Sequence, residues 1–253
     1  MLLQGKTAVV YGGGGAVGGA IARAFARYGA TVHLAGRTER TLRAVADDIE
    51  AAGGAAHVDV VDALDGQSVD AHMERVVRRD GRLDASVNVI SDQDVQGTPM
   101  VEMDVEDYLR PVATAVRSKF LTARAAARVM VPRRQGVILY FGGRFDWTVA
   151  RKLSVGGIGV TFDAVESMRR QLAGELGRHG IRVVTLHTGG LPETIPADYP
   201  GRDEIVELLN GNTLTGQAAT LRDVGEMAAF AVSDLARTVS GASINMSAGA
   251  AVD

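Results

Sequence analysis

The sequence predicts an α/β fold in which a doubly wound parallel sheet of about seven strands carries helices on both faces. Three features of the 253-residue chain predict it. Short apolar runs alternate with longer amphipathic stretches, as in repeated βαβ units. Several of the apolar runs are nearly uninterrupted, which is typical of parallel strands that are covered on both faces. A glycine-rich turn follows the first run and precedes a helical pattern, so this unit reads as strand, turn and helix.

The predicted strands are spread evenly along the chain. They are Thr7–Tyr11, Thr31–Ala35, Ala55–Val60, Leu83–Ile90, Val137–Phe141, Ile181–His187 and Ala242–Met246. Apolar residues at helical spacing fill the intervals between them, as Val17, Ile21, Phe25 and Tyr28 do after the first strand. No change in composition marks a second domain, so residues 1–253 are expected to form one domain.

One long connection departs from this regular alternation. The stretch from Leu191 to Gly216 is rich in proline and glycine, and it predicts a loop with one short helix around Asp203–Leu209. Loops of this length inside a compact domain are often lids over a site. We therefore expect residues 191–216 to form a lid or substrate loop.

The composition excludes several classes of protein. The chain has no cysteine, which excludes disulfides, a thiolate nucleophile and cysteine-ligated metals. Its formal net charge of −3 gives no support for a nucleic-acid partner. It has no run of about 18 apolar residues and no signal-peptide pattern, so a cytoplasmic protein without membrane contact is expected. Asp92, Asp94 and Gly97 resemble part of a calcium loop, but Met103 replaces its glutamate, and no metal site is predicted.

The segment after the first predicted strand has the composition of a dinucleotide-binding turn. Six of the eight residues from Gly12 to Gly19 are glycines, and an amphipathic helix follows them. Glycines let the backbone approach a pyrophosphate, while the helix N-terminus offers free N–H groups and a positive dipole. The predicted cofactor-binding residues in this segment are Gly12, Gly14, Gly15, Ala16, Val17 and Gly18.

The end of the second predicted strand indicates which dinucleotide binds. NAD-binding folds place an acidic residue about 20 residues beyond the glycine turn, where it contacts the ribose 2′-hydroxyl. This chain has Gly36 and Arg37 there instead. Arginine suits a 2′-phosphate, because it donates paired charge-assisted hydrogen bonds. We therefore expect NADP(H) to be favoured over NAD(H).

With these features the chain resembles the short-chain dehydrogenase/reductase family, in its one-domain form and over nearly its whole length. Tyr11–Gly18 is similar to the family's Thr-Gly-x-x-x-Gly-x-Gly, with tyrosine and alanine at two of its positions. Gly81–Asp84, residues 175–183 and the tail 240–253 are also similar. The resemblance implies a Rossmann-type domain with strand order 3-2-1-4-5-6-7, a nicotinamide cofactor and a homo-oligomer, either dimer or tetramer.

The resemblance also implies cofactor contacts after the third, fourth and sixth strands. Asp59 matches the family's adenine-contacting aspartate, and Asn88 matches the first residue of its Asn-Asn-Ala-Gly. Gly189 matches the glycine of the turn after the sixth strand. The contacts predicted in this way are Asp59, Val60, Asn88, Val89, Gly189 and Leu191.

The family's catalytic residues are the part of its pattern that this chain lacks. The family reduces carbonyls or oxidises alcohols with a serine, a Tyr-x-x-x-Lys pair and an asparagine. The matching positions, in that order, are Gly143, Ile158, Phe162 and Ala115. None of the five tyrosines has a lysine four residues later. No catalytic residue of the usual kind is therefore predicted.

Apolar residues surround the predicted substrate position, so we expect an apolar small-molecule substrate or ligand. They are Ile90, Phe141, Phe145, Trp147, Ile158, Phe162 and Leu191. His187, at the end of the sixth strand, is a candidate proton donor, although a histidine satisfied by nearby backbone is the plainer interpretation. Tyr140 has the opposite strand parity to Gly143 and is expected to point away from the pocket. Four loop residues are interpreted as ordinary loop charges: Arg144, Asp146, Arg151 and Lys152.

Three functions remain open from the sequence. The first is an NADP(H)-dependent oxidoreductase that works without the usual catalytic residues. The second is a non-catalytic dinucleotide-binding protein, either a redox sensor or a partner subunit, because the phosphate-binding half is kept while the chemistry is lost. The third, ranked last, is a non-redox isomerisation or dehydration in the same pocket.

Overall fold

Seven apolar segments pair as strands in the computed structural model, which describes residues 1–143 and 154–252. They are β1 Thr7–Tyr11, β2 Thr31–Gly36, β3 Ala55–Val60, β4 Ala85–Asn88, β5 Gly136–Gly143, β6 Ile181–Thr188 and β7 Ala242–Asn245. Their order in the sheet is β3-β2-β1-β4-β5-β6-β7, and every neighbouring pair is parallel. The doubly wound fold and the strand order expected from the sequence are confirmed.

The α-helices of the described residues lie on both faces of this sheet. They are α1 Ala16–Arg27, α2 Glu39–Ala51, α3 Gly66–Asp80, α4 Val105–Arg133, α5 Ile158–Leu176, α6 Arg202–Gly211 and α7 Leu221–Val232. Buried residues of α1, α2 and α7 share one hydrophobic core, and those of α3, α4 and α5 share the other. In this part of the chain, no helix combines the length and the apolar character needed to cross a lipid bilayer.

The two cores explain why the strands are apolar at successive positions. In β1, Val10 belongs to the core under α1, α2 and α7, whereas Val9 and Tyr11 belong to the core under α3, α4 and α5. Successive strand residues point to opposite faces, so a sheet covered on both faces needs an apolar residue at nearly every position.

The fourth strand is shorter than its apolar run predicts. The sequence predicts Leu83–Ile90, but only Ala85–Asn88 form β4. At the start, the carboxylate of Asp84 accepts a hydrogen bond from the Thr7 backbone N–H at 2.9 Å, which fixes the chain before it joins the sheet. At the end, the Ile90 N–H donates to the Asn88 side chain at 3.2 Å, so the chain turns out of the strand.

The connection over residues 191–216 contains a 3₁₀ turn at Pro192–Thr194 and helix α6, which starts and ends close to the expected bounds. The backbone N–H of Leu214 donates to the Ala248 carbonyl at 3.0 Å, so the connection is tied to the chain that follows β7. Its role as a lid stays a prediction.

Candidate cofactor and substrate site

The glycine turn brings β1, the end of β4 and the start of α1 together at the carboxyl edge of the sheet. Gly12 has φ +86°, and a Cβ atom there would lie 2.9 Å from the Val89 carbonyl oxygen. A Cβ atom at Gly18 would overlap the carbonyl oxygen of Gly12. Both positions therefore need glycine, because only a residue without a side chain lets the turn pack this closely against the helix.

The N-terminus of α1 is open for an anion. Gly15 and Ala16 are exposed, no side chain caps the helix, and its first turn has no acidic residue. The first N–H groups of a helix have no partner within it, and they carry the positive end of its dipole. Gly14 and Val17 flank these exposed positions. The predicted residues of the turn thus form a backbone cradle that fits a pyrophosphate.

Arg37 lies directly beyond β2 at the same edge of the sheet. Its side chain is exposed, and it makes no ion pair within the described ranges. A guanidinium without a carboxylate partner can bind a phosphate without first breaking an existing bond. The position of Arg37 fits the role that the sequence predicts for it.

Asp59, at the end of β3, is held by two histidines. One carboxylate oxygen, Oδ2, lies 3.1 Å from His33 Nδ1 and 3.3 Å from His72 Nε2. Burial opposes ionisation of Asp59, but these imidazoles outweigh it and hold the pKa of the carboxyl well below its usual range. The next residue, Val60, is 57% exposed at the edge where an adenine ring is expected.

Asn88 and Val89 shape the turn after β4. The Asn88 side-chain amide donates to Thr122 Oγ1 at 3.1 Å and accepts from the Ile90 N–H. The Val89 N–H donates to the Tyr11 carbonyl at 3.0 Å, while its own carbonyl lies beneath Gly12. Asn88 is 1% exposed, so this side chain fixes the loop backbone.

The chain after β6 reaches the same edge. Gly189 follows the last strand residue, and a Cβ atom there would lie 2.9 Å from the Ala250 Cβ. Leu191 is 7% exposed and packs with the core under α1, α2 and α7. Gly189 therefore lies against the chain that follows β7, and Leu191 is buried in the core beside it.

Apolar atoms surround the four positions that the sequence predicts to match the family's catalytic residues. A Cβ atom at Gly143 would lie 2.6 Å from Phe162 Cε2, so the phenyl ring occupies the space that a side chain at this position would need. Ile158 and Phe162 are four residues apart at the start of α5, on one side of the helix. Ile158 is 5% exposed and Ala115 is fully buried. This end of the site is an apolar wall.

A buried polar group lies beside that wall. His187 Nε2 lies 3.4 Å from Glu166 Oε1, and the Arg169 guanidinium donates to Glu166 Oε2 at 2.8 and 3.0 Å. Burial opposes ionisation of Glu166, but the bonds from His187 and Arg169 outweigh it and keep its pKa well below the usual range. A Cβ atom at Gly142 would contact both His187 and Phe162, at 3.6 and 3.7 Å, so the two side chains are neighbours.

The structure corrects the plainer interpretation of His187. Its imidazole contacts the Glu166 carboxylate, and its Nδ1 atom is buried without a hydrogen-bond partner among the described residues. The sequence did not reveal this contact, because Glu166 lies on α5 and only the fold brings it to β6. Glu166 and Arg169 are three residues apart among the buried positions of α5, and this charged pair on the apolar side of the helix is the signal that could have found it.

A second buried ion pair was also missed. Lys119 Nζ lies 3.0 Å from Asp92 Oδ1, with only 2% of the lysine side chain exposed. Burial raises the pKa of Asp92, although Lys119 partly opposes this. The hydroxyl of Tyr140 donates to the Lys119 carbonyl, so Tyr140 is buried against α4. Lys119 lies one helical turn after Ala115, on the buried side of α4.

Part of the predicted pocket lies outside the described residues. This holds for the apolar candidates Phe145 and Trp147 and for the loop charges Arg144, Asp146, Arg151 and Lys152. Ile90 and Phe141 are partly buried at the carboxyl ends of β4 and β5, where the pocket is expected.

The comparisons with known proteins identify the family. The family model described as Enoyl-(Acyl carrier protein) reductase matches residues 14–251. Momilactone A synthase of Oryza sativa subsp. japonica is 33% identical over 263 residues, which cover 99% of this chain and 91% of the relative. The chain belongs to the short-chain dehydrogenase/reductase family, whose members are nicotinamide-dependent oxidoreductases.

Solved structures of the family have the same fold. A short-chain dehydrogenase from Burkholderia cenocepacia J2315, in complex with NADP, is 27% identical with a TM-score of 0.83, covering 99% of each chain. An NAD⁺-bound xylitol dehydrogenase has a TM-score of 0.87, covering 98% of this chain and all of that one. At 19% identity, the second similarity shows the fold alone.

Proposed function

We propose that this protein is an NADP(H)-dependent oxidoreductase that acts on an apolar carbonyl or alcohol without the family's serine, tyrosine and lysine. The observation that carries the proposal is a formed dinucleotide cradle at one end of the site and a buried Glu166–His187 pair at the other. We also expect a cytoplasmic homo-oligomer, either dimer or tetramer, as is usual for the family.

The cofactor preference rests on Arg37. The family binds nicotinamide dinucleotides of both kinds, so membership alone does not favour NADP(H). An exposed arginine after β2, with no acidic residue beside it, suits a 2′-phosphate and offers nothing to a 2′-hydroxyl. The pyrophosphate would lie on the turn from Gly12 to Gly18, and Asp59 and Val60 would face the adenine.

The reaction needs a proton as well as a hydride. A bound nicotinamide supplies or accepts the hydride, and reduction of a carbonyl then leaves an alkoxide that must be protonated. General acid catalysis of this kind is worth about 10²–10⁴-fold in rate. Because Ile158 and Phe162 carry no proton, we assign the proton-holding role to His187, which Glu166 orients through its Nε2 atom. The orphaned Nδ1 atom is the one that can exchange a proton.

The second candidate is a non-catalytic dinucleotide-binding protein. The filling of the serine position by the Phe162 ring favours it, because an apolar wall stabilises no developing charge. Such a protein would bind NADPH and respond to it, or assemble with an active relative, without turnover.

The experiment that separates the two uses cofactor-stripped protein, NADPH and a panel of apolar ketones and aldehydes. The oxidoreductase proposal predicts oxidation of NADPH with at least one of them. We expect His187→Gln to lower kcat about 100-fold with little change in KM, in line with the loss of a general acid. The matched control His179→Gln, in the 3₁₀ turn after α5, should leave kcat unchanged. Binding of NADPH without turnover across the panel would favour the non-catalytic protein.

A further inference from the structure

Three of the five histidines of the chain lie close together, far from the proposed proton-holding pair. His33 is in β2, His57 is in β3 and His72 is in α3, on the side of the sheet that α3 covers. Asp59 lies between His33 and His72. These residues are widely separated in the sequence, and only the pairing of β2 with β3 under α3 brings them together.

The spacing of three ligand atoms matches a tetrahedral metal site. Asp59 Oδ2 lies 3.1 Å from His33 Nδ1 and 3.3 Å from His72 Nε2, and the three atoms all lie within 4.8 Å of one another. Ligand atoms bound tetrahedrally to zinc at about 2.0–2.1 Å lie about 3.3–3.4 Å apart. Two of the three distances are therefore close to those of a filled site, and the third, between His33 Nδ1 and His72 Nε2, is within 4.8 Å and would shorten on binding.

Both imidazoles already have the outer partners that a metal site needs. A ligating histidine usually bonds through its other ring nitrogen to a carboxylate or another acceptor, which fixes the ring and its tautomer. His33 Nε2 lies 2.9 Å from Asp80 Oδ2, and His72 Nδ1 lies 3.2 Å from the Tyr11 hydroxyl. One nitrogen of each ring is thus fixed by a hydrogen bond, and the other nitrogen faces Asp59.

An orphaned atom points to the same position. His72 is fully buried, and its Nε2 atom has no hydrogen-bond partner among the described residues. That atom faces Asp59 Oδ2 without the geometry of a hydrogen bond. Buried polar atoms almost always have a partner, so this nitrogen is available to a ligand. Arg75 approaches the other oxygen, Asp59 Oδ1, at 3.8 Å, and leaves Oδ2 to the two imidazoles.

We propose that His33, Asp59 and His72 form a binding site for a divalent transition metal ion, with zinc as the best fit. Two imidazole nitrogens and one carboxylate oxygen favour zinc over calcium or magnesium, which prefer oxygen ligands. Three protein ligands leave one tetrahedral position open. A surface groove along β3, lined in part by His57 and by Arg75 and Arg79, reaches the ligands His33 and Asp59 but not the buried His72. The site shares Asp59 with the proposed adenine contact, but it does not depend on the proposed redox step.

The test uses untagged, chelator-treated protein and two metals, Zn²⁺ in a calorimetric titration and Co²⁺ as a spectroscopic probe. We expect one ion per chain and the intense visible absorption of tetrahedral cobalt. His72→Gln and Asp59→Asn should each remove this absorption and weaken zinc binding at least about 100-fold, while Asp80→Asn should weaken it about tenfold.

His57→Gln is the matched control, because His57 lies in the same groove but supplies none of the three ligand atoms. It should leave zinc affinity and the cobalt spectrum unchanged. Because a buried variant can fail to fold, the cobalt spectrum of the unmodified protein stands as a test by itself. The proposal is overturned if that protein gives only weak octahedral absorption, or if His57→Gln abolishes binding while His72→Gln does not.

Discussion

At the β1 end of the ligand-binding edge, glycines bring backbone groups together, whereas at the β5–β6 end large apolar side chains fill the space. Gly12 and Gly18 leave room for the turn and expose the first N–H groups of α1. At Gly143 the Phe162 ring occupies the space beside the glycine. The same residue type thus keeps a binding surface open in one region and accommodates a bulky neighbour in the other. Packing at the two ends of this edge can therefore differ while the sheet stays the same.

The largest expected effect is at the glycine turn. Gly18→Ala places a Cβ atom against the Gly12 carbonyl oxygen, which forces the turn to open and moves the N–H groups of α1. We expect NADPH affinity to fall at least about 100-fold, equivalent to about 2.7 kcal/mol, in a calorimetric titration. Gly174→Ala is the control, because that position within α5 has open space and favours alanine. Unchanged affinity in Gly18→Ala would show that the turn does not hold the cofactor.

The second prediction concerns the β5–β6 end of the site and places a serine at Gly143. Gly143→Ser introduces a side chain 2.6 Å from the Phe162 ring, so it should lower the free energy of unfolding by about 1–3 kcal/mol. Combining it with Phe162→Ala should cost less than the sum of the two single changes, because the cavity accepts the serine. Urea denaturation of the four proteins measures this coupling, and strict additivity would contradict the contact.

The buried pair beside the wall predicts a dependence of stability on pH. The folded-state pKa of Glu166 is depressed, because bonds from His187 and Arg169 outweigh its burial. Its ionised form therefore stabilises the protein above the unfolded-state pKa, and that contribution is lost as the pH falls below about 4.5.

Glu166→Gln should lower the free energy of unfolding by about 1–3 kcal/mol at pH 7, with a smaller difference at pH 4. Urea denaturation at the two pH values measures both. The exposed Glu175→Gln, on the same helix, is the control and should have little effect at either pH. An equal loss at pH 7 and pH 4 would contradict the role of the charged form.

The smallest expected effect concerns the choice of cofactor. Arg37→Ala should weaken NADPH binding about tenfold, equivalent to about 1.4 kcal/mol, because Arg37 is exposed and its pairing with phosphate is partly screened. NADH binding should not change, since NADH has no 2′-phosphate. Arg40→Ala, also exposed and three residues away, is the control. Equal weakening of both cofactors would place Arg37 elsewhere than at the 2′-phosphate.

Local patterns in the sequence were enough to predict the fold and the glycine turn from Gly12 to Gly18. The βαβ units and the glycine turn depend on residues close together in the chain, and the family resemblance built on them implied the strand order. The Glu166–His187 and Lys119–Asp92 pairs were missed because each joins separate elements that meet only through packing. The contacts of His33 and His72 with Asp59 were missed for the same reason, because the three residues lie in different elements. Polar residues on the buried side of a helix were the available signal, but periodicity does not identify their partners.

The most direct test of the central claim is a calorimetric titration of cofactor-stripped protein with NADPH and, separately, with NADH. The account predicts binding of one NADPH per chain and clearly weaker binding of NADH, because the proposal assigns the pyrophosphate to the glycine turn and the 2′-phosphate to Arg37. Failure of both cofactors to bind would contradict the account, since the glycine turn would then be only a structural element.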